Sequence, residues 1–150
     1  MFNRFSGVKL LAMDFDGVIG KKSKWWGPNG VELKECDGRD GHGLNEIMYR
    51  TLEIPMIVIS NEDSPISKKY CVDHHIEFIW CCGNINKDLL LVKYCNDHDI
   101  NLDNVCYIGD DITDICCLDI VGIPVVVNDC HPSLILPGIY RTSNPGGGGA

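Results

Sequence analysis

The sequence predicts an α/β fold, a Rossmann-like doubly wound parallel sheet with helices on both faces. Apolar runs at 8–13, 55–60, 77–80, 105–108 and 123–127 alternate with segments of helical length around 41–53, 64–75, 87–98 and 112–119. Such alternation marks parallel strands joined by crossover helices. Met56-Ile57-Val58-Ile59 and Val125-Val126-Val127 are unbroken apolar runs rather than alternating ones, as expected of strands covered on both faces. Acidic and small polar residues follow several of these runs directly, at the carboxyl ends where open α/β sheets bind their ligands.

The first strand closes on Asp14-Phe15-Asp16-Gly17-Val18. Residues i and i+2 of an extended segment point the same way, while the glycine lets the chain turn sharply, so the two acids take different places around one centre. A nucleophile and its acid/base partner need that arrangement. A hairpin, about 20–36, interrupts the alternation: Lys24-Trp25-Trp26-Gly27-Pro28-Asn29-Gly30-Val31-Glu32-Leu33-Lys34 holds two short extended stretches around a Pro-Asn-Gly turn. Its adjacent tryptophans either pack against the body of the domain or form a subunit interface or lid. The interface is the preferred reading, because a projecting hairpin rarely buries two indoles by itself.

The second strand ends at Ser60, the third helix opens at Lys87, and the fourth strand runs into Gly109-Asp110-Asp111. Each of these alone is an ordinary cap or turn residue; the ordered set is much harder to obtain by chance. Residues 1–143 form a single domain in this reading. The segment 144–150, Asn144-Pro145-Gly146-Gly147-Gly148-Gly149-Ala150, is a glycine-rich tail too low in complexity to build a core.

Composition limits what the domain does. At 150 residues with 45% hydrophobic content, the chain suits one globular core. No run approaches the roughly 18 apolar residues of a membrane span, and Met1-Phe2-Asn3-Arg4-Phe5 lacks the apolar centre of a secretory signal, so no membrane association and a cytoplasmic location are expected. A net charge of −8 disfavours nucleic acid as a partner. None of the nine cysteines forms a CxxC pair, so they read as reduced, mostly buried thiols.

Taken together, Asp14-Phe15-Asp16, Ser60, Lys87 and Gly109-Asp110-Asp111 resemble the four motifs of the haloacid dehalogenase (HAD) superfamily of phosphohydrolases. More narrowly, Asp14-Phe15-Asp16-Gly17-Val18-Ile19, Asn29-Gly30-Val31-Glu32-Leu33-Lys34 and Arg39-Asp40-Gly41-His42-Gly43 are similar to a small capless branch. That branch contains 3-deoxy-manno-octulosonate 8-phosphate phosphatases, phosphatases of nine-carbon keto sugar acid 9-phosphates, and the C-terminal phosphatase-like domain of acylneuraminate cytidylyltransferases. The likeness extends over nearly the whole chain, to Asp129-Cys130-His131-Pro132 and a final Gly146-Gly147-Gly148-Gly149-Ala150 that matches the branch's GGxGA.

The resemblance implies a magnesium-dependent phosphatase. A carboxylate is repelled by a phosphate dianion unless a cation screens both, and the oxygen donors of Asp14, Asp110 and the Asp16 backbone suit magnesium. By resemblance, Asp14 forms an aspartyl-phosphate while Asp16 protonates the leaving oxygen and later activates water. Ser60 donates to the transferring phosphoryl group and Lys87 offsets its charge. Asp111 and Asp114 orient metal-bound water from outside the ligand set, although Asp114 reads equally as a helix first-turn residue. The branch forms tetramers in which hairpins assemble a central barrel, and an arginine, a glutamate and a final helix follow GGxGA; this sequence ends at Ala150.

Substrate choice rests on departures within that branch. After Ser60 stand Asn61 and Glu62, where octulosonate enzymes usually carry Gly-Arg. Glu62 points to a nonulosonate 9-phosphate such as the KDN or N-acetylneuraminate ester, with octulosonate 8-phosphate next. Tyr70 replaces a usual arginine, Cys82 a common glutamine, and Gly20 a threonine. Arg39, Lys68 and Lys69 remain as cations for a substrate carboxylate, or as solvated surface. His42 either touches the leaving group or begins a helix, whereas His74, His75 and His98 read as surface residues. Two further readings differ in class: a weakly active or inactive tetramerising domain like that of the cytidylyltransferases, and a phosphoacceptor signalling domain.

Overall fold

Six parallel strands make the central sheet of the computed structural model, which describes residues 5–83 and 85–150. The reading of the N-terminus as lacking a signal rests largely on Met1–Arg4, outside the described residues. In chain order the strands are β1 (Leu10–Met13), β2 (Trp25–Trp26), β3 (Glu32–Leu33), β4 (Met56–Ser60), β5 (Glu77–Trp80), β6 (Val105–Gly109), β7 (Ile123–Val126) and β8 (Tyr140–Arg141). β2 and β3 pair antiparallel as the expected hairpin, and the rest lie in the order β5-β4-β1-β6-β7-β8. The chain winds outward from β1 through β4 to β5, then crosses back to β6 and winds the other way. Strand order therefore reverses at β1, and the crevice for a ligand lies at the carboxyl ends beside it.

Every residue of β1 and β4 is buried, so helices cover the sheet centre on both faces. Edge strand β5 is only partly buried, which explains its polar Glu77. The flanking helices are α1 (Gly38–His42), α2 (Pro65–Asp73), α3 (Lys87–Asp97) and α4 (Ile115–Leu118). Ser64 caps α2 by accepting from Ser67 N, and Pro65 needs no donor in the first turn. α2 and α3 end where His75 and Asp99 take positive φ of 58° and 54°. Just before each stop, His74 and His98 stack on Tyr70 and Tyr94 with ring centroids 3.9 and 4.1 Å apart.

Several boundaries differ from the sequence reading. The first helix starts at Gly38 because the Asp37 side chain accepts from Arg39 N, and beyond Gly43 it widens into a π-helix through Thr51, closed by Leu52 N donating to Ile47 O. The segment 112–119 splits into a 3₁₀ turn at Ile112–Asp114 and the short α4. β8 was not anticipated, since two residues carry no readable period. All nine cysteines are free, and Cys82 is exposed.

Trp25 and Trp26 are 66% and 70% exposed, which excludes the reading that packs them against the body of the domain. The glycine tail, by contrast, docks. Gly146 N donates to Asp129 Oδ1 at 2.8 Å, Gly147 N to Val18 O at 2.9 Å and Gly149 N to Asp40 Oδ2 at 3.0 Å. Absence of side chains permits this, because a Cβ on Gly146 would stand 1.7 Å from Gly17 O. No helix of the described residues is long and apolar enough to cross a membrane.

Candidate active site

Register brings the strand ends together. Met13 lies opposite Val58 of β4 and Ile108 of β6, so Asp14, Ser60 and Asp110 emerge at nearly one level. Asp14 N donates to Ile108 O at 3.0 Å, holding the start of the turn against β6. The chain then folds back tightly, with Ile19 and Gly20 amides donating to Phe15 O, and Gly17 adopts φ 97°. A Cβ at Gly17 would lie 2.1 Å from Asp110 Oδ2. Gly17→Ala therefore combines backbone strain with displacement of Asp110; it is expected to cost more than about 1 kcal/mol of stability and about tenfold to a hundredfold in activity. Denaturant titration and steady-state rates check both.

Lys87 opens α3 with its side chain buried, and its Nζ stands 3.0 Å from Asp14 Oδ1 and 2.8 Å from Asp114 Oδ1. Asp114 is fully buried. Its Oδ1 also accepts from Tyr107 OH at 2.8 Å, while Oδ2 accepts from the amides of Asp110 and Asp111 at 3.0 and 3.2 Å. Asp114 is a first-turn residue, as one of its two readings had it, and it also anchors the lysine beside Asp14. Asp111 caps the same turn by accepting from Ile112 N.

Burial pushes the Asp14 carboxyl up to about 7, against the opposing pull of Lys87 and with Asp114 adding to the rise. Asp110 is likewise raised by burial, against Lys22, and Asp16 by burial, against Lys34. Lys87 is driven the other way from what burial alone would do, because Asp14 and Asp114 hold its ammonium charged.

A divalent cation fits this donor set. Asp14, Asp110 and Asp114 offer carboxylate oxygens within 4.8 Å of one another. Asp110 Oδ1 is buried and has no hydrogen-bond partner among the described residues, a costly state for a charged oxygen unless something occupies it. Asp114 is committed to four protein donors, whereas Asp14 and Asp110 each meet one lysine, so these two are the side chains better placed to ligate. The Asp16 side chain points elsewhere, with Lys34 Nζ 2.8 Å from its carboxylate.

Ser60 is buried and its Oγ accepts from Glu62 N at 3.1 Å, so the turn after β4 orients the hydroxyl. Glu62 is gripped by Lys24 and, at 3.1 Å, by Lys34. Burial opposes its ionisation, but these ammonium groups and Asp16 hold its carboxyl down at about 2. Asn61 lines a cleft of about 390 Å³ with Lys87, Asn86, Thr113 and Cys116. Arg39 and His42 are not joined to this group. Arg39 pairs with Asp37 at 2.8 Å and donates to Gly148 O at 2.9 Å, and His42 lines a separate cleft with Tyr70 and His74. Lys68 and Lys69 pair locally with Asp63 and Asp73.

Three lysines that the sequence reading passed over crowd the acids. Lys22 Nζ lies 2.9 Å from Asp110 Oδ2 and 2.7 Å from Asp111 Oδ2, and Lys24 and Lys34 flank Glu62. Lys34 closes the motif Asn29-Gly30-Val31-Glu32-Leu33-Lys34 but was given no role; the other signal was density, since Lys21, Lys22, Lys24 and Lys34 fall in a short stretch of an acidic chain.

No family model matches the chain. The 3-deoxy-D-manno-octulosonate 8-phosphate phosphatase KdsC of Escherichia coli K12 is 33% identical over 143 residues, covering 95% of this chain and 74% of that protein. The chain belongs to the KdsC-like phosphatases of the HAD superfamily. It is accordingly a phosphoric monoester hydrolase. KdsC of Salmonella typhimurium is 31% identical over 150 residues, spanning all of this chain and 78% of that protein. Among solved structures, the octulosonate 8-phosphate phosphatase of Moraxella catarrhalis in complex with magnesium, phosphate and KDO has a TM-score of 0.88 at 26% identity, covering 99% of this chain and 84% of that one. The cobalt-bound Haemophilus influenzae enzyme has 0.85 at 26% identity, with 98% and 84% coverage. These KdsC-like neighbours hold a metal ion, in keeping with the acidic cluster here.

Proposed function

We propose that this chain is a magnesium-dependent phosphatase of a keto sugar acid phosphate, with 3-deoxy-D-manno-octulosonate 8-phosphate as its substrate. The observation that carries the chemistry is Asp14, buried and lysine-held beside an Asp110 oxygen that has no hydrogen-bond partner among the described residues. The relatives' substrate supports the octulosonate, displacing the nonulosonate from first place. Glu62, held ionised at the site, keeps a nonulosonate 9-phosphate as the second reading.

In this mechanism the Asp14 carboxylate attacks phosphorus, the bond to the sugar oxygen breaks, and Asp16 gives that oxygen its proton. Asp16 then takes a proton from water as the water attacks the aspartyl-phosphate, releasing phosphate and restoring Asp14. Lys87 and Ser60 stabilise charge on the phosphoryl oxygens. Magnesium, held by Asp14, Asp110 and the Asp16 backbone carbonyl, would supply the screening that lets an anion approach a dianion.

Steady-state phosphate release from both substrates tests the reading. Chelator is expected to lower the rate at least about a hundredfold, with recovery on adding magnesium. A strong preference for the 9-phosphate would reverse the substrate order, and a folded protein inert to both would favour the scaffold reading. The enzyme is further proposed to be a cytoplasmic homotetramer, supported by exposed Trp25, Trp26, Val31 and Leu33 on and beside the hairpin. Replacing both tryptophans with serine is expected to lower the mass seen by light scattering; an unchanged mass would remove the hairpin from the interface.

A further inference from the structure

Lys34 follows β3, yet its side chain is wholly buried, unlike the exposed side chains of neighbouring Trp25 and Trp26. Its ammonium reaches three acceptors on three parts of the fold: the Asp16 carboxylate at 2.8 Å, Glu62 Oε2 at 3.1 Å and Ser67 Oγ of α2 at 2.9 Å. An ammonium has three donors, so each is used. Phe15, the residue between the two aspartates, lies beneath it with the ring centroid 5.1 Å from Nζ. Lys24 contacts the same Glu62 oxygen and also lies 3.3 Å from Glu32 Oε1.

This geometry is more specific than a surface ion pair. Two contacts, to Glu62 and Ser67, tie Lys34 to the segment after β4 and to α2, and the third falls on the carboxyl group that must face the leaving oxygen. We propose that Lys34 is a positioning residue: it fixes the Asp16 carboxyl toward the leaving-group side of the site and locks it to Glu62, so that the hairpin sets the aim of proton transfer. The proposal rests on the reading of Asp16 as the acid/base group given above. It also gives the hairpin a part in the chemistry of its own chain, independent of whatever covers its tryptophans.

The consequence is a dependence on the leaving group. A sugar alkoxide is a poor leaving group and needs the proton from Asp16, whereas a nitrophenolate departs without one. Because kcat/KM covers only the steps up to the first irreversible one, the later role of Asp16 in activating water does not enter it. Lys34→Met, which keeps the length of the side chain and removes its donors, is expected to lower kcat/KM for octulosonate 8-phosphate about tenfold to a hundredfold. The fall should appear in kcat rather than KM. For p-nitrophenyl phosphate the fall should stay within about threefold.

Asp16→Asn, measured in parallel, separates the two claims. If wild type turns over the sugar phosphate and Asp16→Asn retains that activity, the acid/base reading itself fails. If Asp16→Asn is inactive on the sugar phosphate but Lys34→Met is unimpaired, or loses equally on both substrates, the positioning role of Lys34 is overturned while the acid/base reading stands. Should Lys34→Met not fold, Lys34→Arg replaces it, keeping the charge but moving the donors. The same selective loss, at least about threefold, is then expected, and its absence overturns the proposal.

Discussion

Asp14→Asn is expected to abolish turnover without unfolding the protein. A carboxamide is a poor nucleophile toward phosphorus, and loss of a nucleophile that acts with its partners as a unit costs on the order of 10⁴-fold or more in kcat. The fold should tolerate the change because the carboxylate is itself a burden, with burial pushing its carboxyl up to about 7. Lys87 would keep Asp114 at 2.8 Å, so no buried ammonium is left alone. The melting temperature should move by no more than about 2–4 °C, equivalent to about 1 kcal/mol. A variant retaining more than about 1% of wild-type phosphate release would remove Asp14 from the nucleophile's place.

The same carboxyl gives a pH signature in metal-free protein. An acid whose folded value is raised from 3.8 to about 7 binds its proton more tightly when folded, so the contribution of Asp14 to stability is fully present below about 3.8 and is lost as pH rises through about 7. Asp110 and Asp16 are raised in the same direction. Asp14→Asn should flatten that slope in urea titrations between pH 5 and about 8.

Asp114→Ala is expected to have the larger effect on stability. It would strip acceptors from Lys87, Tyr107 OH and the amides of Asp110 and Asp111 in one step. Removing one partner of a buried ion pair costs about 3–5 kcal/mol, which lowers the melting temperature by roughly 6–20 °C in a protein of this size. Activity should fall as well, since Lys87 then has only Asp14 to hold it. Asp114→Asn keeps the volume but turns an acceptor into a donor facing other donors, so it should be destabilising too, by less. Equilibrium denaturation within about 1 kcal/mol of wild type for the alanine variant would show that the buried network is not cohesive.

The parts of the site legible in the sequence are those fixed to the ends of apolar runs. Asp14, Ser60 and Asp110 each follow a strand, and parallel register then aligns them without further information. Lys87 was legible as the first residue of a helix. The lysines were not, because Lys22, Lys24 and Lys34 act through long side chains from an irregular segment, and no period in sequence connects them to Asp110 or Glu62. Arg39 shows a different limit: a cation in a motif suggests an anion to bind, and nothing in the sequence signals that Asp37, two residues away, pairs with it. The tail was read as unable to pack because core building was judged by side chains, and this segment packs by backbone.

That tail bears on the order of events when the chain folds. The bonds from Arg39 to Gly148 O and from Gly149 N to Asp40 each close 109 residues of chain, and contacts between such distant partners carry a large closure entropy that must be offset by structure already formed. The surface the tail settles on, the turn at Gly17 and Val18 and the start of α1, exists only once the sheet holds it. In a refolding experiment the far-ultraviolet signal should therefore recover before phosphatase activity does, because the loop bearing Asp14 is sealed only when the last glycines settle onto Gly17 and Val18.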